Sequence, residues 1–170
     1  MNRAWISLGA NLGDPEASLI RALDGLSRCP GVVVDAVSSF YRTAPTDYAD
    51  QPDFVNAAAR ILTSHDPETL FGHLLRLQKE AGQGPKTRRF GPRLLDLDLL
   101  LYENLVFTSL RLILPHPRMH LRRFVLIPLC DMNPELRHPL LHETMADLLT
   151  RLPENSQRVE RIPCPASLQP

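Results

Sequence analysis

Apolar positions along the chain follow two rhythms, and the alternation between them predicts the elements. Residues 4–8 are a short apolar run that reads as a first strand. Asp14-Pro15 then supplies a helix cap and a first-turn proline. Leu19, Ile20, Leu23 and Leu26 continue at helical spacing until residues 29–31 end the helix. β-Branched and aromatic residues mark 32–41 as a strand, residues 43–52 as a long polar loop and residues 54–62 as the next strand. Asp66-Pro67 starts a second helix whose core stripe is Leu70, Phe71, Leu74, Leu75 and Leu77. Residues 82–89 fit neither rhythm.

Another strand includes Asp96 and Asp98 and turns at Glu103-Asn104 into residues 105–107. Leu114-Pro115-His116-Pro117 is extended, because proline biases the preceding residue away from helix. Helices are expected at 123–129 and 144–152. Residues 1–152 then form one domain, and the proline-rich segment 153–170 a loose tail. The turn at 103–104 calls for antiparallel pairing. The expected class is therefore α+β, a sandwich of mainly antiparallel sheet flanked by helices.

The acids in the run Phe90-Gly91-Pro92-Arg93-Leu94-Leu95-Asp96-Leu97-Asp98 change the picture most. Successive strand side chains point to opposite faces, so Asp96 and Asp98 share one. Asp is disfavoured in strands, and two carboxylates so close repel unless something positive lies between them. A hard divalent cation such as Mg²⁺ meets that need with oxygen ligands and waters. The bland alternative is an edge strand with a solvated outer face. Lys86, Arg88, Arg89 and Arg93 precede the acids, and His116, Arg118, His120, Arg122 and Arg123 form a second basic group. Guanidinium groups grip phosphate oxygens in pairs. Beside a carboxylate pair, these groups point to a metal-bound polyphosphate.

Composition narrows the partners. In 170 residues, 19 basic and 19 acidic side chains cancel, so the basic groups are local devices. Aromatics, at 6%, do not alternate with basic residues, which argues against nucleic acid. No apolar run reaches a membrane span, and polar residues break up the N-terminal apolar stretch before a leader could form. Cys29, Cys130 and Cys164 are scattered, with no pairing or zinc spacing. A cytoplasmic protein is expected. No P-loop or dinucleotide-binding glycine pattern is present. Pro117 and Pro139 argue against zinc pairs at His116/His120 and His138/His142. Phe54 and Asn56 share a strand face, where a ring could stack a heterocycle and an amide read its edge; ordinary core packing explains the phenylalanines equally well.

Five segments carry a family resemblance: Leu8-Gly9-Ala10-Asn11-Leu12-Gly13, Ser39-Phe40-Tyr41-Arg42-Thr43, Gln51-Pro52-Asp53-Phe54-Val55-Asn56-Ala57, Gly91-Pro92-Arg93-Leu94-Leu95-Asp96-Leu97-Asp98 and Leu114-Pro115-His116-Pro117-Arg118-Met119. In order, they resemble the 6-hydroxymethyl-7,8-dihydropterin pyrophosphokinases. The resemblance implies a ferredoxin-like fold, a monomer, and transfer of pyrophosphate from MgATP to a pterin alcohol, releasing AMP, in folate biosynthesis. It implies that Asp96 and Asp98 hold two Mg²⁺ ions and are catalytic together with Arg93 and Arg122. Lys86, Arg89, Arg93, Leu99, Arg111, His116 and Arg122 would contact ATP. Thr43, Ala44, Thr46, Phe54, Asn56, Phe90 and Phe124 would contact the pterin, between the rings of Phe54 and Phe124.

The chain departs from that pattern at three places. Gln78 stands where the family often has glutamate, and Gln83 and Pro85 where it often has arginines. Arg88 or Arg89 and Glu80 are the candidate replacements, and slower turnover is the expectation. Two alternatives stay open: a catalytically weakened paralogue that still binds pterin or nucleotide, and a kinase for a related pterin alcohol.

Overall fold

The computed structural model describes residues 1–46, 50–82 and 91–163. Five strands and two helices build the body in the order β1 (Asn2–Ala10), α1 (Pro15–Ser27), β2 (Val32–Val37), β3 (Phe40–Thr43), β4 (Phe54–Thr63), α2 (Pro67–Glu80) and β5 (Asp96–Tyr102). β2 and β3 pair with successive parts of β4, so together they act as one interrupted strand. β1 lies between β4 and β5, and every pairing is antiparallel. That is a βαββαβ unit with its last strand beside its first, the ferredoxin-like arrangement. The expected α+β class holds.

Strand alternation sorts the side chains into two cores. Ile6, Leu8, Ala57, Ala59, Leu97 and Leu99 face one side, where Leu19, Leu23 and Leu26 of α1 and Leu70, Leu74 and Leu77 of α2 cover them. Trp5, Ala58 and Leu100 face the other side, and a bulge in β5 opposite Trp5 and Ile6 turns Leu101 to that side as well. There they meet α3 (Arg123–Met132) and α4 (Met145–Thr150) through Val125, Leu126, Leu129, Met145 and Leu148. A small hairpin, β6 (Phe107–Thr108) and β7 (Ile113–Leu114), follows β5.

Local chemistry fixes the helix starts. Asp14 accepts from the amide of Ala17, and Asp66 from those of Glu68 and Thr69. Thr144 and Asp147 form a reciprocal capping box on α4.

Three details differ from the pattern-based expectation. The strand expected over 32–41 breaks at Ser38, whose hydroxyl accepts from the amide of Ala58 and so takes the place of a ladder contact. Leu75 is exposed, and Gln78 takes the inward place on α2. Its amide oxygen accepts from the Leu97 amide of the edge strand β5 at 3.2 Å. Glu80 points outward and pairs with Arg76 at 3.8 Å.

The described part of the segment after Pro153, residues 154–163, also carries regular structure. β8 (Val159–Ile162) adds to the sheet against β3, with Thr43 opposite Val159 and Phe40 opposite Ile162. Proline content misleads here, because the pairing residues 159–162 contain none.

Two outcomes test this packing. Gln78→Leu strands a buried backbone donor and should lower unfolding free energy by about 1–3 kcal/mol in urea titration. His138 is buried, and its Nδ1 accepts from the amides of Leu140 and Leu141, which requires that nitrogen to be unprotonated. Burial, with His120 and His142 nearby, pushes its pKa from 6.5 down to about 4. The unfolded chain therefore takes a proton that the folded chain refuses. Stability present above pH 6.5 should fall as pH drops from 6.5 toward 4, and His138→Leu should flatten that slope.

Candidate active site

The sheet face that carries Trp5, Ala58 and Leu101 changes character toward its other end. There Ser7, Gly9, Asn56, Asp96 and Asp98 form the floor of a cavity of about 460 Å³. The register fixes their order: Gly9 of β1 pairs with Asn56 of β4 on one side and Asp96 of β5 on the other, and Ser7 pairs with Asp98. With strands about 4.8 Å apart, the acid end and the amide end stand roughly 10 Å from each other. Gly9 keeps the space between them open. A Cβ there would come within 2.7 Å of Asn56 Oδ1.

Loops from several elements make the walls. His116, Pro117, Arg118 and Arg122 come from the β7–α3 connection, and Phe124 from the first turn of α3. The His116 amide donates to the Leu100 carbonyl of β5 at 2.8 Å, and its Nδ1 accepts from the Arg118 amide at 3.2 Å. Those bonds tie the basic loop to the strand that carries the acids. Thr43, Ala44, Pro45, Thr46 and Gln51 form the opposite wall.

Asn11 stitches these parts from beneath. Its side-chain oxygen accepts from the Arg93 amide at 2.7 Å, and its amide nitrogen donates to Gln51 Oε1 at 3.1 Å and the Pro52 carbonyl at 3.0 Å. Its own backbone amide donates to the Arg93 carbonyl at 2.9 Å.

The electrostatics divide the cavity. Asp98 Oδ2 lies 3.8 Å from the Arg122 guanidinium and 3.9 Å from His116 Nε2. Burial, and then the charges of Arg122 and Arg118, push the His116 pKa down to about 4 against the pull of Asp96, so its ring is neutral near pH 7. Arg122 also sits over the Phe124 ring at 5.5 Å. It thus joins a charged end to an aromatic end. At the latter, the Asn56 amide donates to Thr43 Oγ1 at 2.7 Å. That contact turns its oxygen toward Gly9.

Most residues expected at the site converge. Thr43, Ala44, Thr46, Phe54, Asn56, Arg93, Asp96, Asp98, His116, Arg122 and Phe124 all line the cavity. Lys86, Arg89 and Phe90 lie outside the described residues, as do Arg88, Gln83 and Pro85. Two expected ATP contacts stand off the wall. The Leu99 side chain is one residue past Asp98, so it points into the opposite core. Arg111 is exposed between β6 and β7. Arg118, from the second basic group, lines the cavity as well, and Ser7, Gly9, Pro45, Gln51, Gly91, Pro117 and Gln157 do so without being among the expected site residues. For Ser7 and Gly9 a signal existed: continuing the β1 alternation beyond Leu8 puts both opposite the core face.

The donor set fits Mg²⁺ of one kind. Among the described residues, no group of three or more His, Cys, Asp or Glu is placed to hold a metal ion. Two carboxylates on one strand face, with arginines around them, suit an ion that arrives with phosphate oxygens and keeps its waters.

The profile of the 7,8-dihydro-6-hydroxymethylpterin-pyrophosphokinase (HPPK) family matches residues 5–134. The 2-amino-4-hydroxy-6-hydroxymethyldihydropteridine pyrophosphokinase of Methylorubrum extorquens is 40% identical over 161 residues, spanning 94% of this chain and 100% of that protein. The protein of that name from Haemophilus influenzae is 42% identical over 82% of this chain and 86% of its own length. The folic acid synthesis protein fol1 of Schizosaccharomyces pombe is 38% identical over 92% of this chain, which spans only 21% of it. Among solved structures, Plasmodium falciparum HPPK-DHPS wild type with SDX-DHP superposes with a TM-score of 0.68 at 15% identity, over 89% of this chain and 43% of that one. The shared fold and the identity across whole bacterial relatives lead to one assignment: the chain belongs to the 7,8-dihydro-6-hydroxymethylpterin-pyrophosphokinase family.

Proposed function

We propose that this chain transfers the pyrophosphoryl group of MgATP to the hydroxymethyl oxygen of 6-hydroxymethyl-7,8-dihydropterin, releasing AMP, in folate biosynthesis. The observation that carries this reading is a single cavity with paired acids and arginines at one end and an aromatic–amide subsite at the other. The spacing across Gly9 supports a flat heterocycle at Asn56 whose hydroxymethyl arm reaches toward Asp96. Phe54 and Phe124 stack its two faces, and the Asn56 oxygen, fixed by Thr43, accepts from its N–H edge.

In the reaction, the pterin hydroxyl oxygen bonds to the β-phosphorus and passes its proton to solvent water. The bond from that phosphorus to the oxygen bridging the α-phosphate breaks, and AMP leaves with the bonding electrons. Such chemistry asks a protein mainly for positioning and charge compensation. Asp96 and Asp98 would hold two Mg²⁺ ions, which when bound neutralise phosphate charge and align the reacting oxygens. Arg93 and Arg122 grip phosphate oxygens and stabilise charge as AMP departs. Neutral His116 serves as a hydrogen-bonding partner. No side chain forms a covalent bond to substrate.

The chain works as a cytoplasmic monomer on small molecules. Supporting that setting, Cys29 and Cys130 are free thiols among the described residues, and burial pushes the Cys130 thiol up to about 11. Among the described residues, no helix is long and apolar enough to cross a membrane.

Asp96→Ala should reduce AMP release at least a hundredfold while changing pterin affinity less than threefold, roughly the scale of losing a key charge stabiliser. AMP release at the native rate would remove the metal assignment. Gly9→Ala pushes Asn56 aside and should raise pterin KM about tenfold, as should Asn56→Ala. Steady-state kinetics with each substrate varied in turn checks both, with the ATP KM as the internal control.

A further inference from the structure

Gln157 lies outside the stretch matched by the family profile, in the segment leading into β8. It nevertheless lines the main cavity and a smaller neighbouring one of about 170 Å³. The residue is 9% exposed. Nε2 donates to the Ala44 carbonyl at 2.7 Å, and the Ala44 amide donates to the Arg158 carbonyl at 3.0 Å. Both polar groups of the Ala44 backbone are therefore held by the C-terminal segment. Ala44 follows Thr43, the residue that orients Asn56.

Chemistry fixes which way the Gln157 amide faces. The Ala44 carbonyl can only accept, so Nε2 must be the atom that meets it. Oε1 is then left buried without a partner among the described residues. An unsatisfied buried acceptor is destabilising. An apolar side chain of similar volume would avoid that cost, so the amide's hold on Ala44 is the feature that favours glutamine here.

We infer that Gln157 is a positioning residue for the pterin subsite. Through Ala44 it sets the wall formed by residues 43–46, and through Thr43 the angle of Asn56. The C-terminal strand is by this account a working part of pterin recognition, and a domain boundary at residue 152 would cut through the site. The inference rests on the pterin reading of the cavity.

The test uses the whole 170-residue chain carrying Gln157→Leu or Gln157→Asn. The first has no donor, and the second is one methylene too short to reach Ala44. Each should weaken pterin binding, followed by intrinsic fluorescence, and raise pterin KM about 3- to 10-fold, with the ATP KM within twofold. Gln157→Asn decides the matter if Gln157→Leu does not fold. Arg161→Ala supplies the structural comparison. It removes side-chain contacts toward the end of β8 away from Gln157, a bond to Ser39 at 2.8 Å and an ion pair with Asp131 at 4.0 Å, keeps the backbone ladder of β8 on β3, and should lower Tm while leaving pterin KM unchanged. Gln157 variants that bind pterin like the wild type, in an enzyme that does release AMP, overturn this inference alone. A wild-type chain that neither binds the pterin nor releases AMP overturns the proposed function with it.

Discussion

One constraint organises this molecule: the pairing of β1 between β4 and β5. Because side chains alternate along each strand and the register is fixed, the pairing lines up Asn56, Gly9 and Asp96 in one row. A one-residue slip in either ladder would send the amide or the acids into the core under α1 and α2. Burial of Ile6, Leu8, Ala57, Leu97 and Leu99 on that side is what forbids the slip. The hydrophobic core thus positions the polar site, and the same residues that stabilise the sheet determine which carboxylates face outward.

The second consequence is electrostatic. A sheet floor with two acids is unfavourable by itself, and the chain offsets it with a loop anchored to the same strand. The bond from His116 to the Leu100 carbonyl and the approach of Arg122 to Asp98 keep positive charge beside the acids. Burial keeps His116 neutral, so the charge there comes from arginines whose ionisation is insensitive to working pH. Arg122 also touches the aromatic end through Phe124. Loss of that one side chain would disturb phosphate compensation and ring placement together.

Much of this was legible in the chain. Asp96 and Asp98 announce a shared face because a period of two needs only local sequence, and the helix caps at Asp14 and Asp66 are equally local. Leu99 shows what the same rule implies for a carried-over role: adjacent to Asp98, its side chain has to face the other core, which leaves its backbone to meet ATP. The family's frequent glutamate has its counterpart in Gln78, which satisfies the edge of β5, and the substitute suggested at Glu80 is solvent-facing.

What stayed hidden depends on contacts between distant segments. Asn11 carries no chemistry of its own, and its importance appears only when three loops meet around it. The Gly9 requirement appears only when Asn56 is laid beside it. Gln157 sits in a segment that composition marks as a tail, and only the pairing of β8 with β3 brings it to Ala44. The most direct measurement of the central claim is an anomalous-scattering crystal structure of the chain with Mn²⁺ in place of Mg²⁺, a non-hydrolysable ATP analogue and the pterin alcohol. Metal peaks bonded to Asp96 and Asp98, with the pterin ring between Phe54 and Phe124, are the expected result. Metal and nucleotide bound elsewhere, with those two carboxylates making no contact to either, would contradict it.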